Sequence, residues 1–135
     1  MRKYISFSTL GIITMIVALN VHITLVQAEL ENPWSKYPDN SQMQFAHVDE
    51  FYNNLDAKQY VEFKNAKLNI RETVYWKDVN KVFSKVDEYG AARVGGEGTH
   101  PNRQVYVFAT VSQDGKMKTA VFDAETGYLS AATSE

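Results

Sequence analysis

The sequence predicts an α+β fold in which one or two helices pack on a small antiparallel β-meander, after an N-terminal signal segment. Three observations carry that expectation. Residues 104–132 hold β-branched and aromatic runs separated by two glycine turns. Residues 73–89 carry an apolar stripe at helical spacing. The chain begins with two cations and a long apolar run.

Residues 1–28 come first. Arg2 and Lys3 are the only formal charges before Glu29, and Ile5 to Val26 is rich in Ile, Leu, Val, Phe, Met and Thr. The run ends Val26-Gln27-Ala28. A basic start, an apolar middle and small residues at −3 and −1 describe a cleaved secretory signal. Asn20 and His22 interrupt the apolar run and favour cleavage over retention. The alternative is an uncleaved membrane anchor, since about 20 apolar residues span a bilayer. Either way the two cations hold the N-terminus inside and place the rest outside the cytoplasm.

The chain has 135 residues and no Cys. A lipid anchor on a lipobox cysteine is excluded, and so is any disulfide. An exported domain of this size without disulfides fits a Gram-positive bacterial product. Residues 29–135 contain all 16 acidic residues and 12 of the 14 basic ones. That acidic balance argues against nucleic acid and against an anionic membrane surface.

Residues 29–44 contain two prolines with Asn, Asp, Ser and Gln, and read as a linker or arm that Trp34 and Tyr37 can pin to the domain. A single domain over 45–135 follows. Val48, Phe51, Tyr52 and Leu55 define one face of a short helix over 47–55, with Asp49 and Glu50 in its first turn. Residues 58–70 fit a strand or a helix equally. The stripe Trp76, Val79, Val82, Phe83 and Val86 predicts a helix over 73–89, with Thr73 as N-cap and Gly90 as a left-handed stop. Residues 95–103 hold three glycines and a proline and form a loop.

Residues 104–112 alternate Val105, Val107, Ala109 and Val111 with Tyr106, Phe108 and Thr110, a strand apolar on both faces. Asp114-Gly115 makes a hairpin turn. Residues 117–123 return antiparallel, 124–127 turn again, and 128–132 add an edge strand. The helices are expected on one face of this sheet.

The run V-Y-V-F-A-T-V-S-Q-D-G-K-M-K-T-A-V-F-D-A-E-T-G-Y-L, residues 105–129, resembles the end of a PepSY domain. Asp123-Ala124-Glu125-Thr126-Gly127 matches that family's D-A-x-T-G ending, and the stripe at 73–89 stands where such a domain has a helix. The resemblance covers about 70–132. It implies a non-catalytic module that binds or restrains a protein partner, a secreted peptidase among them. The alternatives are a cystatin-like ligand-binding domain or small enzyme, and a membrane-anchored surface interaction protein.

Catalytic chemistry has little material here. Beyond the leader, the imidazoles are His47 and His100, and no G-x-S-x-G motif exists. His47 and Glu50 share a helix face, but two ligands do not make a zinc site. Gly95–Gly98 lacks the Lys-Ser/Thr ending of a phosphate loop. No catalytic residue, metal or cofactor is assigned. The residues proposed for partner contact are Glu97, His100 and Arg103 of the glycine-rich loop, with Tyr106 and Phe108 if their strand face is uncovered. Coverage of that face by the arm is the plainer expectation. The partner is a protein or peptide outside the cytoplasm. A membrane enters only if the leader is retained.

Overall fold

The computed structural model describes residues 32–96 and 98–134. The leader at 1–28 and Glu97 lie outside the described residues. Pro33 onward forms one compact unit.

The fold is α+β. Helix α1 spans Val48–Asn53. Strand β1 runs over Leu68–Tyr75. Helix α2, Val79–Phe83, is extended at both ends by single 3₁₀ turns, Trp76–Asp78 and Ser84–Val86. Strands β2 (Gln104–Val111), β3 (Met117–Asp123) and β4 (Leu129–Ser134) follow. The four strands form one antiparallel sheet in the order β1-β2-β3-β4.

The β2–β3–β4 portion obeys its turn chemistry. Gly115 and Gly127 both take positive φ, +85° and +70°, as the two turns require. A bulge between Val121 and Phe122 shifts the β4 register at Ser130. Leu129 therefore packs on one face and Ala131 on the other.

The expected helix over 73–89 is corrected at its start. Thr73, Val74 and Tyr75 belong to β1, paired with Tyr106, Val105 and Gln104. Leu68, Ile70 and Val74 alternate onto the α2 side of the sheet, so period two continues through Val74 before period 3.6 begins. Thr73 is exposed and caps nothing. The helix starts instead by donating the Trp76 and Lys77 N–H groups to the Arg103 and Pro101 carbonyls. The helical segment ends at Val86, and Gly90 is absent from the glycines with positive φ. Within the ambiguous 58–70 segment, only 68–70 joins a regular element.

The helices do not share a face of the sheet. Val79, Val82, Phe83 and Val86 pack against Val105, Val107, Ala109 and Val111. Val48 and Tyr60, with Phe51 and Tyr52, pack against Tyr106, Phe108 and Phe122. Phe51 stacks on Tyr106 at 4.4 Å and Tyr60 on Phe108 at 5.4 Å. A strand apolar on both faces needs a cover on each, and the two helices divide that task. The Tyr106 hydroxyl reaches past α1 to donate to the Ala46 carbonyl at 2.7 Å.

Candidate functional site

The glycine-rich loop, the arm and the β3–β4 turn meet at one end of the sheet. Arg103 lies at their junction. It is 2% exposed, and its Nε and Nη2 donate to the two Asp123 carboxylate oxygens. Nη2 also meets Glu125 at 2.8 Å, and Nη1 donates to the Pro38 carbonyl at 3.0 Å. Asp123 accepts in addition from the Glu125 and Thr126 N–H groups and the Thr126 hydroxyl. Burial pushes the Asp123 carboxyl up, but Arg103 and the turn donors outweigh it and hold it below the usual carboxylate range. The D-A-E-T-G segment thus has a structural reason within this chain. Its Asp closes the turn and neutralises a buried guanidinium.

The arm is fastened to the same junction. Asn40 is buried, and its side-chain oxygen accepts from the Gln104 N–H at 2.7 Å. Tyr37 bridges Thr99, its carbonyl accepts from the His100 N–H, and its ring lies beside the Arg103 guanidinium. His100 is partly exposed, with the Trp34 ring meeting it edge-on at 4.9 Å. The His100 Nδ1 accepts from the Asn102 N–H at 3.1 Å and lies 3.8 Å from Asp39. Hydrogen bonds from Ser41 hold the Asp39 carboxyl below its ordinary value.

Beside this junction opens a groove of about 370 Å³. Tyr37, Trp76 and Tyr128 give it aromatic walls, Val94 and Ala131 add apolar surface, and Arg93 stands at its rim. A smaller cleft of about 260 Å³ shares Trp76, Val94, Gly95 and Thr99 with it and is lined further by Lys77 and Asn80. Asn80 fixes one wall, because its side chain donates to the Val94 carbonyl and accepts from the Val94 N–H. Arg93 is oriented by a two-point pair with Asp87 at 2.8 Å. Tyr128 is 63% exposed, a high value for a large ring beside a groove.

Of the five residues proposed from sequence, His100 and Arg103 come together at this end. Arg103 is fully committed inside the fold, so it shapes the site without reaching a partner. Tyr106 and Phe108 are 1% and 0% exposed and offer no docking surface. What covers them is α1 and Tyr60 rather than the arm. Glu97 lies outside the described residues. Sequence reasoning missed Trp76, Arg93, Val94 and Tyr128 as groove residues. Trp76 looked like part of the core stripe, and Tyr128 like the start of an edge strand. Only the register that sets β4 beside the glycine-rich loop groups them.

The chemistry on offer is stacking, apolar contact and one guanidinium. Among the described residues no hydroxyl donates to His47 or His100. His47 is occupied as the N-cap of α1, accepting from the Asp49 N–H. No group of three metal-ligating side chains occurs among the described residues, and no described helix is long and apolar enough to cross a membrane. Comparison with protein families, with curated proteins and with solved structures finds no match to this chain.

Proposed function

We propose that this chain is an exported, non-catalytic binding module, PepSY-like over about 70–132, that holds a protein or peptide partner at the groove between Tyr37, Trp76 and Tyr128. The single observation that carries this reading is the groove itself. Aromatic walls with an arginine at the rim are the surface type that dominates protein recognition, since Trp, Tyr and Arg concentrate binding energy. The walls are held by the Asn80–Val94 clasp and the Arg103 junction, which lowers the ordering cost of binding. A secreted peptidase is the partner that the PepSY resemblance favours.

The test is a random peptide library selected on the immobilised chain, with affinities measured for wild type and Gly95→Phe. Gly95 lines the groove and a Cβ there meets nothing within 4 Å, so the substitution adds a ring at the site without a clash at its Cβ, and an unchanged melting temperature checks that the variant folds. Binding that drops at least tenfold in Gly95→Phe supports the reading. Selected peptides that bind both proteins equally place recognition elsewhere and sink it. Inhibition assays against exported peptidases decide the finer point. No inhibition at high micromolar chain removes the peptidase but leaves the groove.

A further inference from the structure

The groove adjoins β4, and β4 is an open edge of the sheet. The opposite edge, β1, is guarded by charge. Arg71 pairs with Glu62 and Asp49, and Glu72 pairs with Lys85. Such charges are a standard protection against unwanted strand pairing. β4 reads Leu-Ser-Ala-Ala-Thr-Ser, with no charge and no proline. Its backbone pairs only with β3 among the described residues.

A second cleft, about 360 Å³, opens at the other end of β4. Ala132, Thr133 and Ser134 form one wall, and Lys58, Tyr60 and Lys118 face them. Neither lysine is in an ion pair among the described residues. The Lys118 ammonium rests over the Phe63 ring at 4.3 Å. Tyr60 is 6% exposed, and its buried hydroxyl has no hydrogen-bond partner among the described residues. Two lysines without a carboxylate partner among the described residues, Lys118 reaching only the Val61 carbonyl at 3.5 Å, favour an anionic occupant.

The two clefts lie on opposite faces of the sheet. Ala131 packs on the α2 side with Trp76. Ala132 pairs with Ala120, which packs on the α1 side with Tyr60. A strand added along β4 sends successive side chains to alternate faces. An odd spacing therefore serves both clefts. Ala131 lines the groove from the α2 side and Ser134, paired with Lys118, lines the second cleft from the α1 side, so a spacing of three serves both.

We propose that the partner is an extended peptide segment that adds as a fifth strand to β4. It places an aromatic side chain in the Trp76–Tyr128 groove and an acidic one, three residues away, against Lys58 and Lys118. This mode of recognition rests on the groove being the binding site. Main-chain hydrogen bonds give such complexes their affinity, and alternating side-chain pockets give their specificity.

The experiment titrates the full chain with three synthetic ten-residue peptides in a Thr/Val host, followed by amide hydrogen exchange. The first carries Trp and Asp three residues apart, and the second carries them four apart. The third repeats the first with alternate backbone amides N-methylated on the edge-facing side. The expected result is binding of the first at least tenfold tighter than the other two, with new protection at residues 130–134. The variant Lys58→Gln/Lys118→Gln weakens the first peptide several-fold and leaves an Asp→Asn version of it unaffected. Equal binding of all three peptides without protection at 130–134 overturns strand addition and leaves the groove as the site. No binding of the first peptide, while library-selected peptides still compete with Gly95→Phe sensitivity, also overturns strand addition alone. Concentration-dependent self-association with protection at 130–134 assigns the edge to a second copy and contradicts the proposal.

Discussion

Arg103 and Asp123 form a buried pair whose every polar atom named above has a partner, and the arm, the loop and the last turn all depend on it. Truncating one member leaves the other charged and buried. Arg103→Met is therefore expected to lose about 3–5 kcal/mol, measured by denaturant unfolding. The pair also sets a pH dependence. The Asp123 carboxyl is held lower in the folded chain than in the unfolded one. Its stabilisation is present above the ordinary aspartate value of about 4 and is lost as pH falls through the folded value. The melting temperature is expected to fall from pH 6 to pH 3, with a smaller fall in Asp123→Asn. A flat profile in the wild type contradicts this assignment. Tyr60 gives the opposite kind of prediction. Its hydroxyl is buried without a partner among the described residues, so Tyr60→Phe removes a desolvated polar atom without opening a cavity. Its stability should equal or exceed that of the wild type in the same unfolding assay, and a loss above about 1 kcal/mol would show that the hydroxyl is satisfied.

At the scale of elements, the β2–β3 hairpin was legible because its signals agree. Val105, Val107 and Val111 favour a strand, and Asp114-Gly115 fixes the turn. α1 was legible from Val48, Phe51 and Tyr52. The passage through 68–76 was not. Val74 serves a strand, and Trp76 serves a helix two positions later, so a window that includes both sees a continuous stripe. This distinction has a measurable consequence. A lost N-cap costs about 1 kcal/mol. Thr73 is instead an exposed strand residue, so Thr73→Ala is expected to cost under about 0.5 kcal/mol. At Gly127, φ is +70°, and a Cβ would meet the Phe51 ring at an ordinary 3.7 Å. Gly127→Ala should lose about 1–2 kcal/mol from backbone strain rather than from a clash. A neutral result in thermal unfolding would mean that the turn relaxes to another type.

The whole molecule is a sheet covered on both faces, and this decides where a partner can go. Strand β2 is spent on the core, so its Tyr106–Phe108 face is covered, by α1 and Tyr60 rather than by the arm, and offers no docking surface. Phe108→Ala is accordingly a stability variant, with a loss of about 3–5 kcal/mol. What remains outside is the end formed by the arm, the glycine-rich loop and Tyr128, together with the β4 edge. The sequence showed that 95–103 is a loop, and His100 and Arg103 do stand at that end. It could not show Arg93, Trp76 and Tyr128 converging there, because their proximity depends on strand register and on a bulge rather than on any local pattern.

Trp34 and Trp76 are the only tryptophans in the chain, which makes the groove directly observable. The decisive measurement is the emission of Trp76 in the Trp34→Phe variant, titrated with a library-selected peptide that contains no tryptophan. Occupation of the groove should shift that emission to the blue and saturate at the same concentration as calorimetric binding. Calorimetric saturation with no change in Trp76 emission would contradict the groove as the binding site.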